Sequence, residues 1–186
     1  MLEKILELDK IVFVFLYNLG SVPFDGIWLV ITKQMYWTPF FIFVFYLFQK
    51  KLGWKNLGYF LLFTVLLIVI SDQTAGFFKN HFHRLRPYYD SQFSAIIRSL
   101  KHEPGQYSFF SAHATNSMAT AVFAFLILKR YYKQTFWLFL FPIIFAYSRI
   151  YLGLHFPTDI LTGYVFGATY GFVFYKIYQK YVLKTS

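Results

Sequence analysis

Five apolar stretches, at residues 36–49, 57–78, 114–128, 136–154 and 160–178, constrain this chain more than any other feature. Each approaches the ~20 residues that a helix needs to cross ~30 Å of hydrocarbon once flanking aromatics are counted. With 186 residues the chain has room for about six such spans joined by short connections. A sixth apolar region, 11–31, is interrupted by Gly20, Pro23, Asp25 and Gly26. It reads as a broken span, or as an interfacial helix followed by a second short one. The expected fold is all-α: a polytopic integral membrane helical bundle of about six transmembrane helices, the first broken or interfacial. Residues 1–186 form one membrane-embedded domain in this reading.

Composition supports the bilayer. Hydrophobic residues make up 58% of the chain and charged residues only 14%, outside the range of a soluble domain. With no cysteine, disulfides, thiolate catalysis and thiolate metal sites are excluded, so any chemistry must come from oxygen and nitrogen groups. The net charge of +10 is scattered between apolar runs instead of massed on a polar face, which favours anionic lipid over nucleic acid. Glu3, Lys4, Glu7, Asp9 and Lys10 open the chain and no small-residue cleavage pattern follows, so the first segment is expected to stay as an anchor.

Loop charge predicts orientation. Lys50, Lys51 and Lys55, then Lys129, Arg130 and Lys133, then Lys176, Lys180 and Lys184 mark the cytoplasmic ends, the C-terminus included. Threading from these anchors sends the other span ends to the periplasmic or exterior face of a bacterial inner membrane. The outward loop 79–113 breaks the same charge rule, with Lys79, Arg84, Arg86, Arg98 and Lys101 against Asp90 and Glu103. An anion site accounts for the exception. Trp37, Trp54 and Trp137 fall at predicted span ends, as interfacial anchors do.

The residues beside the apolar runs carry the chemistry. Charged side chains in membrane segments are costly and are kept chiefly for function. Lys79 and Arg86 are seven apart, two turns on a continued helix, with Pro87 marking an end. Ser111 suits an N-cap, which leaves the N–H groups of Ala112 and His113 at a helix start that favours anions. His113 can exchange a proton near neutrality. Arg149 brings a permanent guanidinium fork to an apolar span end. His155 precedes Phe156-Pro157, so Asp159 falls in the first turn of the next helix, near enough to orient an imidazole. Together these supply phosphate binding, a nucleophile, an acid and an orienting carboxylate, with no metal and no cofactor. A divalent ion on His113, His155 and Asp159 would be repelled by the neighbouring cations. His81, His83 and His102 lack such surroundings and read as loop or headgroup contacts.

This pattern resembles the type 2 phosphatidic acid phosphatase superfamily, whose motifs read K-x6-RP, PSGH and SR-x5-H-x3-D. They stand here as Lys79 to Arg86-Pro87, Phe110-Ser111-Ala112-His113, and Ser148-Arg149 to His155 to Asp159, across about 57–178. The resemblance implies a membrane-embedded lipid phosphate phosphatase. In it His155 is the nucleophile that forms a phosphohistidine, Asp159 its orienter and His113 the acid. Lys79, Arg86, Ser111, Ala112 and Arg149 would bind the phosphoryl oxygens. Phe110 and Ala112 replace the proline and glycine of the second motif, and alanine still supplies its backbone N–H. The substrate is expected to be a phosphorylated lipid reaching the outer face. Candidates are undecaprenyl pyrophosphate, phosphatidylglycerol phosphate, phosphatidic acid and lipid A, the first favoured slightly because an outward-facing site suits carrier recycling and Arg84 and Arg98 offer extra cations. A noncatalytic anionic-lipid-binding protein is the competing class. It would need the cations but not the His155–Asp159 pair.

Overall fold

The computed structural model describes residues 2–98, 100 and 105–183, whose regular elements are helices with no strands among them. Lys101, Glu103 and Lys184 of the charge argument, and His102, read as a loop or headgroup contact, lie outside the described residues. The helices are α1 (Leu2–Asn18), α2 (Asp25–Ile31), α3 (Thr38–Phe82), α4 (Ala112–Leu128), α5 (Leu140–Tyr151) and α6 (Pro157–Tyr178).

The broken first region takes the expected form. The helix 3–18 and the segment 22–31 meet at 81°, with Gly20 in the break and Pro23 in the first turn after it. α3 is two limbs, because Gly53 adopts φ +76°, a conformation that side chains with a Cβ avoid. The limb before Gly53 folds back on the limb after it: Phe48 stacks on Phe60 with centroids 4.0 Å apart. These limbs correspond to the separate runs 36–49 and 57–78 of the sequence reading. The segment 34–82 is long and apolar enough to cross a membrane; α4 is a shorter apolar helix. α5 starts at Leu140, later than its apolar run, because residues 133–139 form a tighter 3-10 lead-in. Counting the limbs of α3 separately, α1, α4, α5 and α6 complete six helical segments of an all-α membrane bundle.

α4 and α6 form the centre. Gly163, Gly167 and Gly171 recur every fourth residue on α6 and allow its backbone to approach α4 closely. A Cβ at Gly163 would meet Ser111 O at 2.8 Å, and one at Gly171 would meet Ala119 O at 2.5 Å. An aromatic core of Phe48, Phe60, Phe123 and Tyr178 fills one end of the bundle. Phe13, Phe93 and Phe156 pack edge-to-face at the other. Large apolar side chains face outward, including Val65, Val69, Leu161 and Val165, which suits a hydrocarbon surround.

Candidate active site

The three motif segments meet at one end of the bundle, joined through their backbones. Segment 84–86 pairs with 106–108: Arg86 N–H donates to Gln106 O at 2.8 Å and Ser108 N–H to Arg84 O at 2.8 Å. Tyr88 N–H donates to Gly153 O at 2.9 Å, and Ser111 N–H to Asp159 O at 3.1 Å. The segment after α3 is therefore tied to the end of α5, and the start of α4 to the start of α6.

Each local structure follows from its residues. Ser111 is the N-cap of α4 and its Oγ accepts from Ala114 N–H at 3.3 Å, so alanine at 112 leaves the turn intact. Pro157 opens α6, and Asp159 Oδ2 accepts the Phe156 N–H at 2.8 Å, closing the first turn. His155 Nδ1 lies 3.5 Å from the same Oδ2, with both side chains buried. Arg149, completely buried in the last turn of α5, donates from Nη1 to Thr32 Oγ1 at 2.6 Å.

Lys79 and Arg86 do not share a helix face. α3 ends at Phe82 because His83 takes a left-handed conformation, φ 49°, as its C-cap. Arg86 is extended and buried, and its Nε donates to Tyr107 O at 3.3 Å. Lys79 stays on the last turns of α3. His113 sits in the first turn of α4 with its ring centroid 5.6 Å from that of Phe145. It lines a cavity of about 180 Å³ together with Asp72 and Asn116. His81 and His83 are exposed and make ring contacts with Phe82 and Tyr107 respectively.

The two cations read as spare from sequence are engaged. Arg84 Nη1 donates to Asp159 Oδ1 at 3.0 Å and to Thr158 Oγ1 at 2.7 Å, and its Nη2 pairs with Asp9 Oδ2. Its guanidinium carbon sits 4.0 Å above the Phe156 ring centre. Arg98 Nη2 donates to Asp25 Oδ1 at 3.0 Å, an oxygen that also accepts from Tyr151 Oη at 2.6 Å. Among the described residues, no three of His, Asp and Glu gather as a metal-binding group.

Sequence reasoning missed Asp9, Thr32, Asp72 and Asn116. Asp9 and Thr32 are 75 and 117 residues from their arginine partners, and no local pattern links them. Asp72 did leave a signal: it is an acid inside an apolar run.

The family follows from comparison with known proteins. Residues 57–183 match the PAP2 superfamily. The chain belongs to the PAP2 superfamily. It is 35% identical over 182 residues to a lipid A 4'-phosphatase of Porphyromonas gingivalis, covering 95% of this chain and 75% of that protein. It is 28% identical over 187 residues to a lipid A 4'-phosphatase of Bacteroides thetaiotaomicron, covering 97% and 81%. Two solved structures share the fold of this PAP2 chain. The transmembrane PAP2-type phosphatidylglycerolphosphate phosphatase of Bacillus subtilis aligns with a TM-score of 0.72 at 18% identity, covering 96% of this chain and 88% of its own. LpxE of Aquifex aeolicus aligns with a TM-score of 0.66 at 22% identity, covering 89% and 93%. The chain is thus a PAP2-type membrane lipid phosphatase.

Proposed function

We propose that this chain removes a phosphate from the sugar headgroup of a lipid A-type glycolipid, at the outer face of the bacterial inner membrane, through a phosphohistidine on His155. The observation that carries the chemistry is the buried His155–Asp159 pair, with Nδ1 and Oδ2 3.5 Å apart, in a turn tied to the start of α4.

With Nδ1–H turned to Asp159, His155 Nε2 keeps its lone pair for attack on phosphorus. A P–N bond forms as the bond from phosphorus to the sugar oxygen breaks, and His113 gives its proton to that oxygen. Water then attacks the phosphohistidine and passes a proton to His113. Inorganic phosphate leaves and both histidines are restored. Lys79, Arg86 and Arg149 neutralise the phosphoryl oxygens, with the Ser111 hydroxyl and the Ala112 N–H at the α4 N-terminus. The cations take the role that a metal fills in other phosphatases, so no metal is required.

The choice of lipid A draws on the two sequence relatives, both lipid A 4'-phosphatases. The slight preference for undecaprenyl pyrophosphate rested on an outward-facing site, which suits carrier recycling, and on Arg84 and Arg98 as extra cations. Both guanidiniums are instead paired with carboxylates.

The test is phosphate release by the purified protein in detergent, with EDTA present, across lipid A, undecaprenyl pyrophosphate, phosphatidylglycerol phosphate and phosphatidic acid. Lipid A should give the highest kcat/KM, and His155→Ala should release nothing. Preference for another lipid would contradict the substrate assignment. Turnover by His155→Ala would contradict the mechanism, and no release from any lipid would favour a binding protein.

A further inference from the structure

Phosphate chemistry does not account for the polar groups that share a cavity with His113. That cavity lies between α3, α4 and α5, and its walls include Gln34, Asp72, Asn116, Phe41 and Phe145. Asp72 belongs to the apolar run 57–78, where an acid is costly and calls for a reason. Asn116 Nδ2 donates to Asp72 Oδ1 at 2.8 Å, which joins α4 to α3.

A pair serving only to hold two helices together would leave no acceptor stranded. Asn116 Oδ1, however, is buried and has no hydrogen-bond partner among the described residues. A buried amide oxygen beside a carboxylate makes a site rich in acceptors, and its natural complement is a group with hydroxyl or N–H donors. The charge sign narrows this further. Asp72 would repel a phosphoryl group, so what it receives is a neutral, donor-bearing part of the substrate.

The cavity also continues in one direction. Gln34, Phe41 and Phe141 line both it and a second cavity of about 180 Å³, whose other walls are apolar side chains such as Val44, Phe60 and Ala124 apart from Thr64 and Thr120. The order from His113 is therefore polar, then apolar. That order matches a lipid in which a hydroxylated ring separates the scissile phosphate from the acyl chains. Diacylglycerol, whose chains begin next to its single phosphate-bearing oxygen, has nothing to offer the polar part.

We propose that the cavity shared by His113, Asp72 and Asn116 is a subsite for the sugar that carries the scissile phosphate. Asp72 and Asn116 accept hydrogen bonds from its hydroxyl and amide groups, Gln34 adds an amide from the opposite wall, and Phe41 and Phe145 cover its apolar face. The subsite rests on the phosphatase reading, in which His113 protonates the oxygen of this same sugar. A site built around hydrogen bonds to a substrate discriminates strongly against an analogue that lacks the donors.

The experiment compares kcat/KM for lipid A, an acylated and phosphorylated glucosamine disaccharide, with kcat/KM for phosphatidic acid in the same detergent. Wild type, Asp72→Leu and Gln34→Leu are measured, each with its Tm. The ratio of lipid A to phosphatidic acid should fall at least about tenfold in both variants. An unchanged ratio would overturn the subsite, as would a proportional loss on both lipids, which assigns Asp72 to helix packing alone. Gln34 lies outside the α3–α4 hydrogen bond, so its variant decides the matter if Asp72→Leu does not fold. Phosphate release by wild type from phosphatidic acid but not lipid A would overturn the subsite while leaving the phosphatase reading standing. Release from neither would end the subsite and the lipid A assignment together.

Discussion

Arg84 Nη1 donates to Asp159 Oδ1 at 3.0 Å, so the carboxylate facing His155 is held from its other side by a guanidinium. The second arm of that guanidinium pairs with Asp9, and Asp9 Oδ1 accepts the Thr158 N–H at 2.8 Å. One side chain thereby locks α1, the segment after α3 and the start of α6 into a single buried network. Both carboxylate side chains are fully buried, and Arg84 is 18% exposed.

Removing Arg84 should therefore hurt stability and turnover together. Arg84→Met leaves two buried carboxylates without their cation, at a cost of about 3 kcal/mol. It should lower the Tm in detergent and reduce kcat by about tenfold or more as Asp159 loses its orientation. Adding Asp9→Asn to Arg84→Met removes one of the stranded charges and should recover part of the Tm. Failure of the second substitution to recover any stability would show that the charges are not coupled.

Asp159→Asn tests the orienting role separately from charge balance at Asp9. An amide at this position can present its N–H to His155 and favour the wrong tautomer. We expect kcat to fall by about 10²–10⁴ with KM little changed, as for other imidazoles that lose an orienting carboxylate. Steady-state kinetics on lipid A would check this, and an unaltered kcat would remove Asp159 from the mechanism.

The glycine stripe of α6 gives a packing prediction with an internal control. A Cβ at Gly167 would press on the Thr115 carbonyl and approach Ala119 N at 3.1 Å, so Gly167→Leu must push α6 off α4. The expected cost is about 1–3 kcal/mol, read as a lower Tm. Gly58→Ala meets nothing within 4 Å in a helical stretch and should be neutral or stabilising by up to about 1 kcal/mol.

Chelators should leave turnover unchanged, whereas vanadate should compete with substrate. A trigonal-bipyramidal oxyanion facing a nucleophilic imidazole mimics the transition state, and such mimics bind more tightly than substrates. Loss of activity in EDTA, restored by a divalent ion, would contradict a mechanism based on Lys79, Arg86 and Arg149 alone.

Much of the site was legible because its chemistry is local. His155, Pro157 and Asp159 lie within one loop and one helical turn, so spacing alone put the carboxylate beside the imidazole. Ser111 could be read as an N-cap because capping depends on the next three residues. The apolar runs disclosed the helical class and the turn between 36–49 and 57–78, though not that Gly53 makes it. The partners that position these groups were not legible. Arg84 finds Asp9, and Arg149 finds Thr32, only through the fold. From sequence, an arginine paired with a carboxylate looks the same as one free to bind a diphosphate, so the pairing of Arg84 and Arg98 was not legible. Pro87 did signal a helix end near Arg86, but not its place: His83 already ends α3 in a left-handed turn that residue spacing does not disclose.

The most direct measurement is to trap the covalent intermediate. Purified protein would be mixed with lipid A bearing a labelled 4'-phosphate, quenched in base within one turnover, and digested for mass spectrometry. The expected result is an acid-labile, base-stable phosphoryl group on the peptide containing His155, formed and lost at rates that match turnover. No labelled protein during active turnover, or label on any other residue, would contradict it.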